Sequence, residues 1–262
     1  MLKLEHIYKI YNKGTVNEKP LFHDFNLEVN KGDFIEIIGS NGAGKSTLLN
    51  ALAGVWPIDQ GTIEIDGVDI TKLADWQRAK YIGRVFQDPM VGTAATMQIE
   101  ENMALASRRG KKRGLKSGIT AKEREEFKEM LKELNLGLED RMTAKVGLLS
   151  GGQRQALTLL MSTIQKPKLL LLDEHTAALD PKTASTVLET TNKLVEEHHL
   201  TTFMVTHNMK DALKYGNRLI MMCDGKIILD VEGEEKKKLQ VADLLKKFDT
   251  AGGVVTDEMI LG

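Results

Sequence analysis

Two stretches of the sequence place small residues directly before a helix-forming segment, as phosphate-binding sites do. Residues 39 to 47 read GSNGAGKST and follow the strand-like DFIEIIG, and residues 148 to 155 read LLSGGQRQ and lead into ALTLLMSTIQKP. A helix start offers unpaired backbone N–H groups and the positive end of the helix dipole, and glycine lets a phosphate approach closely. Each stretch therefore predicts an anion site, which raises the question of why one chain has both.

The first stretch matches the P-loop pattern G-x-x-x-x-G-K-[ST], between a strand and an apolar helix. Its glycines let successive N–H groups point at phosphate oxygens, Lys45 supplies positive charge for the β and γ phosphates, and Ser46 offers a hydroxyl to Mg²⁺. An ordinary glycine-rich turn does not require Lys45, and a dinucleotide site has the spacing G-x-G-x-x-G. The predicted phosphate-binding residues are Gly39, Ser40, Asn41, Gly42, Ala43, Gly44, Lys45, Ser46 and Thr47.

Two carboxylates, Asp173 and Glu174, follow the apolar run LLLL, which predicts a buried strand. Open α/β sheets bind their ligands at the carboxyl ends of the strands. Asp173 would hold Mg²⁺ through its water shell, and Glu174 would face a water in line with the γ phosphate. The alternative is a strand that ends in solvated acids.

The elements around these motifs predict an α/β protein. FNLEV alternates apolar and polar residues and IEIDGVDI contains an Asp-Gly turn, so the first third is β-rich. From residue 97 to 165 the period becomes helical, and after Pro167 strands alternate with helices, which implies a mostly parallel sheet. Cys223 is predicted in a buried strand. One apolar helix face is formed by Phe127, Met130, Leu131 and Leu134, and another by Ala184, Val187, Leu188, Leu194 and Val195.

The composition narrows the class of protein. The 262 residues are 42% apolar, carry a net charge of −1 and include one cysteine. These values fit one domain, or one domain with a subdomain, argue against a strongly basic nucleic-acid-binding domain, and suit a reducing compartment. The start MLKLEHIYKI lacks a secretion pattern, and no stretch approaches the roughly 18 to 20 apolar residues of a membrane span. We expect a cytosolic protein that would serve a membrane through a partner.

The glycine loop, the carboxylates and LSGGQ together resemble the nucleotide-binding subunit of an ATP-binding cassette (ABC) transporter, over nearly the whole chain. The resemblance implies a P-loop NTPase (RecA-like) core with an N-terminal antiparallel β subdomain and an inserted α-helical signature subdomain. It implies one ABC ATPase domain at residues 1–250, with the core at 1–95 and 166–235 and the helical signature subdomain at 96–165. A short C-terminal helix and tail would follow at 236–262.

The same resemblance accounts for the second phosphate site. In the family, the LSGGQ signature contacts the γ phosphate of ATP held by a second copy, so each chain carries half of each of two sites. The loop of Ala178, Leu179 and Asp180 matches the one that runs across the dimer interface. The residues of one subunit that would close over the glycine loop of the other are Ser150, Gly151, Gly152 and Gln153.

Three further residues match family positions one at a time. Tyr11 matches the aromatic residue that stacks on adenine, with a surface or core tyrosine as the alternative. Gln87, at the end of YIGRVFQ, matches the glutamine that meets Mg²⁺ and the attacking water, in the loop that couples to the membrane subunit. His207 matches the histidine at the γ phosphate. The resemblance thus implies the cofactors ATP and Mg²⁺, the catalytic residues Glu174, His207 and Gln87, and the metal ligands Ser46, Gln87 and Asp173.

Two features depart from this pattern or lie outside it. The family usually has proline or a small residue where this chain has His175, and we interpret His175 as a tolerated variation without a catalytic role. The basic stretch 108–116, RRGKKRGLK, fits nucleic acid or anionic lipid, but its two glycines and lack of aromatic residues favour a solvated loop. The tail GEEKKKLQVADLLKKFDTAGG predicts one short amphipathic helix.

Two classes of function follow from the resemblance. The first is the ATPase subunit of a transporter at the cytoplasmic face of the membrane, dimerising around two ATP molecules. Its expected partners are a second copy of itself, integral-membrane permease subunits and an extracytoplasmic solute-binding protein, with no nucleic acid. The compact cassette resembles that of bacterial importers, and the run from GQRQ to ALDP resembles a branch associated with amino-acid uptake. The alternative is a soluble ABC ATPase of translation or DNA repair, which usually has two cassettes or a long coiled coil.

Overall fold

The computed structural model describes residues 1–111 and 118–251, so positions 112–116 of the basic stretch and the end of the tail lie outside the described residues. The chain divides into two compact units, Met1–Arg78 with Leu200–Gly262 and Ala79–His199. The strands are β1 (Leu2–Tyr11), β2 (Lys19–Val29), β3 (Phe34–Gly39), β4 (Gln60–Ile65), β5 (Val68–Asp69), β6 (Ile82–Val85), β7 (Leu169–Asp173), β8 (Thr202–Val205), β9 (Arg218–Cys223) and β10 (Lys226–Glu232). The helices are α1 (Lys45–Ala53), α2 (Asp75–Arg78), α3 (Ile99–Ser107), α4 (Ala121–Lys132), α5 (Gly151–Thr163), α6 (Pro181–Glu197), α7 (Met209–Lys214), α8 (Gly233–Lys238) and α9 (Val241–Thr250).

The first unit contains an antiparallel sheet in the order β2-β1-β4-β5. Phe25, Leu27 and Val29 of β2 are buried and the residues between them are exposed, as the alternation in FNLEV predicts. The β4–β5 hairpin turns at Asp66 and Gly67, which both have positive φ, as two-residue hairpin turns require. The predicted N-terminal antiparallel subdomain is therefore confirmed.

The same unit contains the strand that leads into the glycine loop. All six residues of β3 are buried, and β3 pairs in parallel with β8 on one side and β9 on the other. A strand inside a parallel sheet is covered on both faces, which explains why its sequence is nearly continuously apolar. Cys223 is buried in β9 as predicted, and burial raises the pKa of its thiol.

The far end of α1, the helix after the glycine loop, is held by an arginine. The Arg78 guanidinium is buried and donates to the carbonyl oxygens of Ala51 at 2.7 Å and Leu52 at 2.8 Å. A cation at a helix C-terminus satisfies carbonyls that have no partner in the helix and faces the negative end of its dipole. The helix that carries Lys45 is thereby fixed at the end opposite the loop.

The second unit contains the parallel pair β6 and β7 and the helices α3 to α6. A capping box of Thr120 and Glu123 begins α4, and Phe127 and Leu131 are buried on its inner face. Leu134 is also buried, just beyond the end of the helix. The predicted helical insert is therefore present, and with the parallel strands it confirms the α/β class.

The described part of the tail forms two helices, α8 and α9, where the sequence predicts one. In α9, Leu244 and Phe248 are buried, as expected of an amphipathic helix. In α8, whose sequence is GEEKKK, the Lys236 ammonium is buried and donates to the carbonyl oxygens of Tyr215 and Gly216, the latter at 2.8 Å. Burial lowers the pKa of Lys236 to about 8. The helix α8 is held by this buried lysine and has no periodic apolar face, so hydrophobic periodicity did not predict it.

Among the described residues, no helix is both long enough and apolar enough to cross a bilayer.

Candidate functional site

Two of the glycines in residues 39–47, Gly39 and Gly44, lie where an added side chain would meet a neighbouring atom. At Gly39 an added Cβ would collide with the carbonyl oxygen of Met222 on the neighbouring strand β9. Gly44, which precedes α1, has φ 104°, and an added Cβ there would lie 2.9 Å from the ring of Phe22. Glycine is the residue that tolerates both conditions without strain.

The start of α1 leaves backbone donors available. In this described part of the chain, no side chain caps the helix and no acidic residue occupies its first turn. Gly44 accepts the bond that closes the first turn, from the N–H of Leu48 at 2.8 Å. Uncapped N–H groups and the positive end of the helix dipole suit a phosphate.

Lys45 turns back over the loop. Its side chain is buried, and its ammonium donates to the carbonyl oxygens of Gly39 at 2.6 Å and Ser40 at 3.2 Å. Ser46 is exposed, whereas Thr47 is buried. The positive charge is therefore held directly at the loop, and Ser46 presents its hydroxyl to solvent beside it.

Tyr11 is tied to this helix by a hydrogen bond between its hydroxyl and that of Thr47, 2.9 Å apart. Trp56 meets the Tyr11 ring edge-on, with 5.9 Å between ring centroids, and the Lys9 ammonium lies 5.6 Å from the Tyr11 centroid. An aromatic ring fixed this close to a phosphate loop suits stacking on a base. Sequence reasoning missed Trp56, because it lies far from Tyr11 along the chain.

His207 follows strand β8, which runs parallel to β3 with Ile37 opposite Val205. Parallel strands end at the same edge of a sheet, so His207 and the glycine loop lie at the same edge of the sheet in the first unit. The next residue, Asn208, begins α7 by accepting from the N–H groups of Lys210 and Asp211. His207 is thus held between a strand end and a capped helix start.

In the second unit, the parallel strands β6 and β7 end at one edge. Three predicted residues lie at or just after these strand ends: Gln87, Asp173 and Glu174. Val85 lies opposite Leu172 in the register of these strands. Gln87 is exposed, and the side-chain amide of Gln155 holds the preceding residue by donating to the carbonyl oxygen of Phe86 at 2.8 Å. The register therefore brings the three predicted residues to one edge, as expected for a ligand site.

Arg84 is a site residue that the sequence analysis did not identify. Its guanidinium pairs with the Asp173 carboxylate at 3.2 Å and stacks on the ring of Phe86, 4.6 Å from the centroid. The sequence does not predict this pair, because only the register of β6 with β7 brings Arg84 and Asp173 together. Asp173 therefore faces positive charge from its own unit.

Glu174 and His175 form the turn after β7. Glu174 has φ 46°, in the left-handed region that a residue with a side chain enters only with strain. His175 is buried, with its Nε2 3.0 Å from the hydroxyl of Thr191 on α6, and burial lowers its pKa to about 4. The histidine that departs from the family pattern is therefore a neutral, hydrogen-bonded core residue.

The signature serine caps its own helix. Ser150 begins α5, where its hydroxyl accepts from the Gln153 N–H at 3.2 Å and its N–H donates to the Gln153 side-chain oxygen at 3.2 Å. Gly151 is exposed, and at Gly152 an added Cβ would collide with Thr183 of α6. Glycine at 152 is therefore required by the packing of two helices, a reason that the sequence motif does not reveal.

Asp180 begins α6 in the same way, with its carboxylate accepting from the Thr183 N–H at 3.1 Å. Hydrogen bonds from the hydroxyl and the N–H of Thr183 lower the pKa of Asp180. An added Cβ at Gly151 would lie 3.1 Å from the Leu179 side chain, so the loop before Asp180 runs beside the signature. The predicted site residues thus form two groups, one in each unit.

Comparison with known proteins identifies relatives along the whole chain. A model of the ABC transporter family matches residues 22–177. The tyrosine transport ATP-binding protein of Clostridioides difficile is 45% identical over 251 residues, covering 96% of this chain and 100% of that protein. The bacitracin export ATP-binding protein of Halalkalibacterium halodurans is 32% identical, covering 98% of this chain and 99% of that protein.

Solved structures show the same architecture. A dimeric, post-hydrolysis ATP-binding cassette bound to ADP and Pi has a TM-score of 0.74 at 31% identity, covering 88% of this chain and 98% of its own. The ADP conformation of an ATP-binding cassette from an ABC transporter has a TM-score of 0.78 at 27% identity, covering 95% of this chain and 98% of its own.

Proposed function

The chain belongs to the ABC transporter family and is an ATP-hydrolysing subunit, and we propose that it drives the import of an amino acid, tyrosine or a similar one. The observation that carries this proposal is the 45% identity to a tyrosine transport ATP-binding protein over all of that relative's length. More distant relatives are named for other cargoes, including bacitracin export at 32% identity. A cassette does not touch the transported solute, so the cargo is inferred from relatedness.

We assign the site residues by the geometry of each unit. The N–H groups at the start of α1 and the Lys45 ammonium would hold the β and γ phosphates of ATP, and Tyr11 would stack on its adenine. Glu174 would accept a proton from the attacking water as general base. Gln87 would orient that water, and His207 would contact the γ phosphate. The uncapped helix start and the buried lysine support the phosphate assignment most directly.

Magnesium is the metal that suits the proposed ligands. Ser46 offers an exposed hydroxyl, and Gln87 and Asp173 add an amide and a carboxylate oxygen at one strand edge. These are hard oxygen donors, which Mg²⁺ prefers, and the ion bound with ATP would neutralise charge on the β and γ phosphates. The Asp173 carboxylate lies 3.2 Å from the Arg84 guanidinium, which holds it in place at the strand end.

We propose that two copies of the chain enclose two ATP molecules, each copy supplying the signature residues Ser150 to Gln153 to the other. The similarity to a dimeric cassette bound to ADP and Pi supports this arrangement. The signature also stands at the surface of its unit: Ser150 and Gly151 are exposed, and Leu148 beside them is 72% exposed. An apolar side chain exposed next to a helix start fits a surface that a second copy covers.

The remaining partners are proposed from the family. Membrane permease subunits would carry the solute at the cytoplasmic face, and an extracytoplasmic solute-binding protein would deliver it. The relatives are named as ATP-binding proteins of transport systems, which supports permease partners. A role for nucleic acid is not part of the proposal.

Transport in a reconstituted system tests the proposal. The chain is co-expressed with candidate permease and solute-binding proteins, reconstituted into vesicles with ATP at the cassette side, and supplied with labelled amino acids. We expect uptake of tyrosine or a similar amino acid that requires ATP, and no uptake with Lys45→Ala. Uptake of phosphonate instead, or outward movement of the label, would contradict amino-acid import while leaving the ATPase assignment intact.

The alternative is a soluble ABC ATPase of translation or DNA repair. It predicts ATP hydrolysis that rises with ribosomes or DNA and does not respond to the permease. The whole-length similarity to transport proteins favours the transporter.

A further inference from the structure

His175 holds a defined hydrogen bond inside the second unit. Its side chain is 1% exposed, and its Nε2 lies 3.0 Å from the Thr191 hydroxyl. That hydroxyl donates its one proton to the carbonyl oxygen of Val187 at 2.8 Å. It therefore accepts from His175, which fixes the histidine as the tautomer with a proton on Nε2.

The partner of this bond is rigid. Thr191 is fully buried on the inner face of α6, which begins at the Asp180 cap and packs with Val187, Leu188, Leu194 and Val195. A position in the middle of a long packed helix does not fray, unlike its first and last turns. His175 thus connects the turn after β7 to a fixed point.

The turn itself contains a strained residue. Glu174, directly before His175, has φ 46°. A left-handed conformation strains a residue with a side chain, and it persists only where neighbouring contacts enforce it. Within the turn, the Ala177 N–H donates to the Glu174 carbonyl oxygen at 3.0 Å. The His175 side chain adds a contact from outside the turn.

We propose that His175 is a positioning residue for ATP hydrolysis: its bond to Thr191 holds the left-handed turn that aims the Glu174 carboxylate at the attacking water. The inference rests on the proposed role of Glu174 as general base. His175 itself touches neither nucleotide nor water in this assignment. Loss of the bond lets Glu174 relax toward an ordinary backbone conformation, and its carboxylate moves away from the line of attack.

Steady-state hydrolysis by four variants tests this inference. His175→Leu removes the donor and Thr191→Val removes the acceptor with little change of shape, while His175→Gln keeps an N–H donor at a similar reach. We expect the first two to lower kcat by about ten- to a hundredfold, the range that small misplacements of a catalytic group produce. KM for ATP should stay near the parent value, and His175→Gln should recover most of kcat. The double variant His175→Leu/Thr191→Val should be no slower than His175→Leu alone, because both changes break one contact.

Thr163→Val is the matched control. Thr163 is a buried threonine on α5 of the same unit, and its hydroxyl donates to the Leu160 carbonyl oxygen at 2.8 Å. Like Thr191, it donates to a backbone carbonyl of the preceding turn, but it has no connection to His175, so its loss should change stability and leave kcat unchanged. Rates are divided by the concentration of protein that binds a fluorescent ATP analogue, which removes the effect of unfolded protein.

Three outcomes overturn the inference. His175→Leu that hydrolyses at the parent rate, or Thr163→Val that is as slow as Thr191→Val, shows that the bond does not position Glu174. A rise of KM in place of a fall of kcat shows a role in binding ATP. Glu174→Gln, measured in parallel, separates the two proposals: if it is inactive while His175→Leu is not, only the inference fails. If Glu174→Gln retains the parent rate, the proposed role of Glu174 fails with it.

Discussion

The helices α1 and α5 both begin beside glycines at a proposed phosphate site, but their first turns differ. Gly44 before α1 has no side chain and leaves the N–H groups of the first turn without a cap, and Lys45 stands buried beside them. Ser150 before α5 forms a reciprocal capping box with Gln153 and is exposed. The first cation of α5, Arg154, is already engaged, because its guanidinium donates to the carbonyl oxygens of Gly147 and Leu149, each at 3.2 Å.

The difference indicates that the two helix starts contribute to phosphate binding in different ways. The start of α1 has a lysine and no side-chain cap, so it can bind phosphate within one chain. The start of α5 is stable with its own cap, offers fewer donors and has its arginine engaged by loop carbonyls, so we expect it to contribute only where a phosphate is already held by another group. This is the behaviour expected of the half of a site that a second copy completes.

The largest expected effect is at α1. Lys45→Ala should weaken ATP binding by about a hundredfold or more, because hydrogen bonds to charged groups contribute roughly 1.5 to 3 kcal/mol each. Equilibrium binding of a fluorescent ATP analogue measures this. Lys31→Ala, at an exposed lysine of the same unit, is the control and should bind normally. Unchanged affinity of the Lys45 variant would mean that α1 is not the primary phosphate site.

The next prediction concerns the contribution of the start of α5 to an ATP-bound dimer. Glu174→Gln should slow hydrolysis by roughly 10² to 10⁴, the usual contribution of a general base, and so preserve an ATP-bound dimer. Adding Ser150→Arg should abolish that dimer and leave ATP binding by the monomer nearly unchanged. The control adds Thr120→Arg in place of Ser150→Arg. Thr120 is an exposed residue that caps α4 as Ser150 caps α5, and its replacement should leave the dimer intact. Analytical ultracentrifugation with ATP and Mg²⁺ distinguishes these results.

A smaller effect tests the capping box itself. Ser150→Ala should lower the free energy of unfolding by about 1 kcal/mol, because it removes a helix N-cap. Thr120→Ala should have a similar effect, since Thr120 caps α4 in the same way. Thermal unfolding of both variants provides the comparison. If Ser150→Ala is as stable as the parent protein while Thr120→Ala is not, the self-capped state of α5 described above is wrong.

The smallest expected effect concerns the aromatic residue at α1. Tyr11→Ala should weaken ATP and ADP alike by about 1 kcal/mol, or roughly fivefold, because stacking on adenine does not involve the γ phosphate. Tyr11→Phe keeps the ring and loses only the hydroxyl bond to Thr47, so it should bind nearly as well as the parent. Unequal losses for ATP and ADP in titrations would argue against stacking.

Local motifs in the sequence were sufficient to predict the elements of the site. GSNGAGKST predicted a strand, a glycine loop and a helix, and β3 and α1 have those positions. LSGGQ predicted a helix start, and Ser150 is the residue that caps it. Turns, helix caps and strand alternation depend on residues only a few positions apart, so a short contiguous stretch of sequence is enough to predict them.

Contacts between distant segments were not predictable in the same way. Arg84 reaches Asp173 because the register of β6 with β7 places them together, and Trp56 reaches Tyr11 from a distant segment of the chain. The tail helix α8 depends on Lys236, whose buried ammonium replaces the apolar face that a pattern search requires.

The sequence by itself determined the family, the α/β class and which residues we propose for phosphate binding, because glycine spacing, one lysine and hydrophobic period are properties of short segments. Only the tertiary structure decided why Gly152 has no side chain and what His175 contacts. Both answers lie on α6, at Thr183 and Thr191. A side chain's partner across a helix interface depends on how two helices pack, and packing is fixed by the sum of many weak contacts over the fold and by no local pattern.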